Sequence, residues 1–157
     1  MSHSNDLATL LAHEVDCLQR LLSTLELERV ALTTADIDKL ERITPAKNAA
    51  MAEQTELALQ RNRFLADHDY DPSNDGLLAC ISASDSAAEL AASLESLAQY
   101  AEVCQQLNRE NGRLILQKQQ HTQSALNILR QNADQGPTYS GRGLADSAED
   151  SRTLGKA

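Results

Sequence analysis

Leu90, Leu94, Leu97, Ala101 and Cys104 are spaced by four, three, four and three residues. Asn108, Asn111, Ile115, Lys118, Thr122, Ala125 and Leu129 continue that register. A repeat of this kind aligns one edge of an α-helix and does not fit a strand, whose faces alternate every second residue. No proline falls between Pro72 and Pro137. The pattern therefore predicts one continuous helix from about Ser86 to Asn132, roughly 70 Å long at 1.5 Å per residue. A helix of that length does not stand alone in water and must lie along a neighbour.

The same stepping supplies the neighbour. Leu11, Val15, Leu18, Leu22 and Leu25 form a seam in a first helix, with Ser4 or Asn5 as its cap. Thr33 and Thr34 mark a break. A short amphipathic piece with Ile37, Leu40 and Ile43 comes next, and Thr44-Pro45 is expected to restart a second helix, with Thr as cap and Pro at the first helical position. That helix runs to about Asp67 through an alanine-rich middle, AKNAAMAEQTELALQ, which admits a close partner. DHDYDPSNDG, from Asp67 to Gly76, is the clearest loop. LLACI is read as a short helical turn, and Ser84, Asp85 or Ser86 caps the third long helix. Aromatics make up 3% of the 157 residues and Trp is absent, so burial comes from Leu and Ala and strands are not expected. The expected fold is all-α: an elongated antiparallel helical bundle or coiled coil of three main helices over residues 1–134, with a flexible C-terminal tail over 135–157.

Charge and cysteines narrow the partners. Lys and Arg total 14 and Asp and Glu 23, a formal charge of -9. That balance argues against nucleic acid and against an anionic membrane surface. No stretch is long and apolar enough to insert stably in a membrane. The opening residues, MSHSNDLATLLAHEVD, lack a basic start and a continuous apolar run, so a signal peptide is not expected. Cys17, Cys80 and Cys104 are odd in number and form no C-x-x-C pair, which suggests reduced thiols and a cytoplasmic location. Charge also polarises along the third long helix. Asp71, Asp75, Asp85, Glu89, Glu95 and Glu102 stand without a Lys or Arg between Asp71 and Cys104. Arg109, Arg113, Lys118 and Arg130 then stand against Glu110 alone between Gln105 and Ala133. Acid at the start and base at the end suit the helix dipole.

Past Asn108 the seam turns largely polar. Leu107, Leu114, Leu116, Leu126 and Ile128 lie off it, so apolar surface spreads round the helix. That asks for more than one neighbour, or for a partner that comes and goes. In NRENGRLI, Gly112 costs about 1 kcal/mol in a helix interior. It reads as an exposed, tolerated glycine with asparagine setting helix register, in preference to a close-approach notch. His13 and Cys17 share a helix face but lack convergent ligands from another segment, so no metal or other cofactor is expected. His121 lies in a polar run and reads as solvated. Glycines 136, 141 and 143 do not follow a strand, so a phosphate cradle is not expected. No nucleophile elbow or paired carboxylates stand out, so an enzyme is not expected. In QGPTYSGRGLADSAED, Tyr139 either folds back on the bundle or anchors a partner, since an aromatic ring gives large contact area at low entropic cost. GLADSAED can form a short helix with Leu144 as its anchor.

Three stretches together carry a resemblance: ERVALTTADIDKLERITPAK (Glu28 to Lys47), NRENGRLI leading through HTQSALNILR, and TYSGRG. In this order and spacing, from about Leu7 to Gly143, the chain resembles the FlgN family of flagellar type III export chaperones. The resemblance implies an antiparallel helical body that keeps hook–filament junction proteins soluble. It implies binding of their C-terminal helices through the end of the third long helix and the tail, at Leu114, Ile115, Leu126, Leu129 and Leu144. It also implies that Tyr139 docks the loaded chaperone on the cytoplasmic domain of the export gate. A generic coiled-coil adaptor, or an export chaperone for a different flagellar client such as a filament-cap protein, fits the same heptads.

Overall fold

The computed structural model describes residues 2–134, with side chains from Ser4 onward. The tail expected at 135–157, with Tyr139 and Leu144, lies outside the described residues. Four α-helices and no strands make up the described chain: α1 (Ser2–Thr34), α2 (Ile37–Asp67), α3 (Asn74–Ser82) and α4 (Ala87–Asp134). They fall into two units divided after Lys118.

In the first unit, α1 stands between two long neighbours. Its contacts to α2 run antiparallel: Arg61 meets Glu14, Glu53 meets Arg20, and Lys47 meets Glu28. Its contacts to α4 run parallel: Cys104 bonds the Leu18 carbonyl and Asn111 the Leu25 carbonyl, each 86 residues apart. The row of α1 that these neighbours bury is Leu7, Leu11, Glu14, Leu18, Leu21, Leu25, Glu28 and Leu32, none more than 7% exposed. It keeps the four-three stepping without a gap. Leu11, Leu18 and Leu25 are shared with the expected seam, whereas Val15 and Leu22 are only half-buried and Glu14 and Glu28 occupy the inner row. In α4, Leu90, Leu97, Cys104 and Asn111 are buried, one every seven residues, while Ala101 of the same seam is exposed. Leu65 of α2 and Leu77 and Ile81 of α3 close the apolar cluster.

The helix ends have local causes. Asp36 N–H bonds the Ala31 carbonyl at 2.9 Å and Ala35 N–H the Leu32 carbonyl, with Ala35 in the left-handed region at φ 55. This is the paired-bond helix stop that glycine usually serves. Asp69, at φ 62, ends α2 with the same pair of bonds, to Leu65 and Ala66. Asp36 then caps α2, its carboxylate accepting from Lys39 N–H at 3.0 Å.

Four expectations are corrected. Ser4 and Asn5 lie inside α1, which begins at Ser2, and the Ser4 hydroxyl instead pairs with that of Ser84 at 2.7 Å. Pro45 does not start a helix, because α2 is continuous from Ile37 and carries Pro45 inside it. Thr44 is correspondingly not a cap; its hydroxyl donates back to the Leu40 carbonyl at 2.8 Å. Pro45 is exposed, so water can serve the Glu41 carbonyl that loses its helical partner. The loop is shorter than expected: Ser73 caps α3, and Gly76 is buried within it. A Cβ on Gly76 would sit 1.9 Å from the Asp71 carbonyl oxygen, so only glycine fits where the loop crosses the helix. LLACI accordingly belongs to a nine-residue helix and not to a single turn. Helix α4 runs unbroken through Gly112, as its register requires.

Candidate functional site

Two polar joints fasten the first unit. Glu14, 1% exposed, accepts from Arg61 Nη1 at 2.8 and 2.7 Å and from Gln54 at 3.2 Å. Burial raises the Glu14 carboxyl above its ordinary value, and the Arg61 charge and bonds pull it partly back. Two heptads later Glu28, 2% exposed, accepts from Lys47 Nζ at 2.6 Å and from Asn111 Nδ2 at 2.9 Å. Asn111 Nδ2 also donates to the Leu25 carbonyl at 2.9 Å, so this one joint ties α1, α2 and α4 together. A buried charge is tolerated only when paired and hydrogen-bonded, and both glutamates meet that condition. At the surface, Arg20 pairs with Glu53 and Arg29 with Glu110.

Sequence reasoning gave asparagine a register role in this stretch, and Asn111 fills it, fully buried, while Asn108 is half-buried. Gly112 is exposed, with nothing within 4 Å of an added Cβ, which removes the close-approach notch. Glu14 and Glu28 were missed as core residues. Their signal was available: they complete the stepping between Leu11 and Leu18 and between Leu25 and Leu32.

The cysteines are set for packing. Cys17 and Cys104 are buried, donate to the Ala50 and Leu18 carbonyls at 3.4 Å, and are held up as thiols by burial. Cys80 shares a cleft of about 320 Å³ with His68, Tyr70 and Asp85. Burial raises its thiol too, and His68 Nδ1 lies 2.7 Å from the Phe64 carbonyl oxygen. Among the described residues no group of three or more His, Cys, Asp or Glu could hold a metal ion, and no helix is long and apolar enough to cross a membrane.

The apolar residues of α4 divide between the units. Leu114 and Ile115, in the first, are half-buried. In the second unit every described residue, Gln119 to Asp134, is exposed, including Leu126 at 43%, Ile128 at 58% and Leu129 at 64%. Leu126 and Leu129, three residues apart, share one helix face, while Ile128 lies about 160° round from Leu126. His121 lies among these exposed residues, as its polar surroundings suggest.

Buried polar joints in the first unit and exposed leucines in the second belong to a protein that is all-helical among the described residues. The FlgN protein family model matches residues 1–147, so the chain belongs to the FlgN family. It is also similar to the crystal structure, at 1.48 Å resolution, of a Pseudomonas aeruginosa protein assigned to flagella synthesis as FlgN. The two share 29% identity at a TM-score of 0.65, over 79% of this chain and 95% of the other. No curated protein matches.

Proposed function

We propose that this protein is a cytoplasmic flagellar export chaperone that is not an enzyme and needs no cofactor. It binds the C-terminal helices of hook–filament junction proteins, keeps them soluble and delivers them to the cytoplasmic domain of the export gate. Family membership supports the flagellar role. The observation that carries the chaperone role is the exposed pair Leu126 and Leu129 on one helix face, with Ile128 exposed further round the helix. An amphipathic client helix laid on it loses its own exposed apolar face, which is what keeps an aggregation-prone segment in solution.

In this reading Leu126 and Leu129 are client contacts in the second unit, and Leu114 and Ile115 in the first. Leu144 adds an anchor from the tail, and Tyr139 serves gate docking. Pull-down from the cytosol of motile cells, identified by mass spectrometry, tests the client class. Leu126→Asp with Leu129→Asp should abolish capture of junction proteins while circular dichroism stays helical. Unchanged capture by a folded double variant removes the site. Tyr139→Ala should retain client and lose gate binding, and equal gate binding by variant and wild type removes Tyr139 from that role.

A further inference from the structure

The docking stripe has a charge signature that the client reading does not require. From Asn111 to Ala133 the chain contains no Asp or Glu, but has Arg113 and Lys118 in the first unit and Arg130 in the second, before Asp134 closes the run. The whole chain carries -9, so this run is a cationic island on an acidic protein. The contrast sits within one helix: Glu89, Glu95 and Glu102 of α4 precede it with no Lys or Arg among them.

Within the second unit the arrangement can be placed on the helix. At about 100° per residue, Thr122, Ala125, Leu126, Leu129 and Ala133 share one face. Ile128, about 160° round the helix from Leu126, lies beyond its far edge. Arg130 follows Leu126 by four residues and so borders the stripe on its Leu126 side. His121 precedes Ile128 by seven and borders the opposite side. Arg130 and His121 are exposed, as are the leucines they flank. The geometry is that of a coiled-coil half-site: an apolar seam with flanking positions whose charges choose the partner.

Apolar stripes alone discriminate poorly, because any amphipathic helix covers them. Flanking charge discriminates in two ways. It pairs with opposite charge along the partner's rim, and it steers approach, since like charge elsewhere repels. Along α4, an acidic partner finds acids over Glu89–Glu102 and none from Asn111 to Ala133. A nucleic acid or an anionic membrane would answer to the same cations. The chain's overall negative charge disfavours both, and the leucine stripe has no use for a phosphate backbone.

Resting on the client-docking reading above, we propose that the face of Thr122, Ala125, Leu126, Leu129 and Ala133 selects an amphipathic helix with an acidic rim. Arg130 is its specificity-determining residue. The partner's Leu or Ala row seats on Leu126 and Leu129, and a carboxylate beside that row pairs with the Arg130 guanidinium.

The test uses the full chain and three fluorescent peptides of about 20 residues, long enough to cover the described part of the second unit. They share one apolar row and differ only in rim charge: acidic, neutral or basic. At low salt the acidic peptide should bind about 10-fold more tightly than the basic one, as expected for a few exposed ion pairs. The ratio should shrink towards about 2 at 0.5 M salt or above, where screening is short-ranged. Arg130→Glu should weaken the acidic peptide about 3- to 10-fold and leave the neutral one unchanged. Equal binding of all three peptides, each lost in Leu126→Asp with Leu129→Asp, overturns the charge inference and leaves client docking standing. Failure of all three to bind wild type overturns both. Two further results overturn the choice of partner. One is Arg130-dependent self-association on sedimentation, which would make the occupant a second copy. The other is Arg130-dependent binding to a DNA duplex or to phosphatidylserine vesicles at the acidic peptide's affinity.

Discussion

The portion of α4 up to Asn111 and the portion after Lys118 belong to one helix and share one register, yet they meet opposite fates. In the first, every seventh residue is buried, ending at an asparagine that hydrogen-bonds to α1. In the second, no described residue is buried, although Leu126, Ile128 and Leu129 are as apolar as anything in the core. The difference teaches that periodicity marks a face fit for burial without deciding whether it is buried. Where α1 stands opposite, the face becomes core. Where the described residues of the second unit supply no cover, the same chemistry stays exposed.

Substitutions can break this contrast, starting where the loss is greatest. Arg61→Ala leaves the Glu14 carboxylate buried without its cation and should cost about 3 kcal/mol at neutral pH in chemical denaturation. The sign of its pH dependence is fixed. Glu14 already has a raised carboxyl pKa in the folded state, and losing Arg61 raises it further. The folded protein then holds a proton that the unfolded chain releases, so stability rises as pH falls through the raised value. It levels off below the ordinary value of 4.5. A loss that stays constant from neutral pH down to that value would show that Glu14 is solvated. Asn111→Ala comes next. It strips Glu28 and the Leu25 carbonyl of a buried donor and should cost about 2 kcal/mol. Asn127→Ala, at an exposed site where the amide only accepts from Gln123, should fall within about 0.5 kcal/mol of wild type. Equal effects of the two would erase the distinction between the regions.

The glycines sharpen the same comparison. Gly76→Ala forces the added carbon against the Asp71 backbone and should cost about 1–3 kcal/mol, read as a lower thermal midpoint. Gly112→Ala meets open space at a helical position and should gain up to about 1 kcal/mol. The smallest effect is expected in the second unit, where Leu126→Asp or Leu129→Asp should change stability by about 0.5 kcal/mol or less. A large loss there would mean that the stripe is core and not a docking face.

Much of this was legible because helices are local. The C-terminal ends of α1 and α2, the continuity of α4 through Gly112 and the register role of asparagine near Gly112 follow from spacing and turn chemistry. Of the candidate docking residues, Leu114 and Leu126 stood out as apolar side chains off the seam, whereas Ile115 and Leu129 lie on it. What spacing misjudged was the inner row of α1. The expected seam takes in Val15 and Leu22 because they are apolar, and leaves out Glu14 and Glu28 because they are charged. Arg61, 47 residues beyond Glu14, and Lys47, 19 beyond Glu28, reverse that judgement. No local pattern announces so distant a cation.

Pro45 was misjudged for a related reason. Proline at the start of a helix and proline inside one look alike in sequence, and Asp36 took the capping role that Thr44 seemed to offer. The sequence by itself therefore determined that the chain is helical, where most of its helices lie, and which edges carry apolar side chains. These are short-range properties, set by backbone sterics and by neighbours within a turn or two. Tertiary structure alone decided which charges are buried, why residue 76 has to be glycine, and which leucines remain open to a partner. Each of those depends on what stands across the gap, and the identity of that neighbour is written tens of residues away.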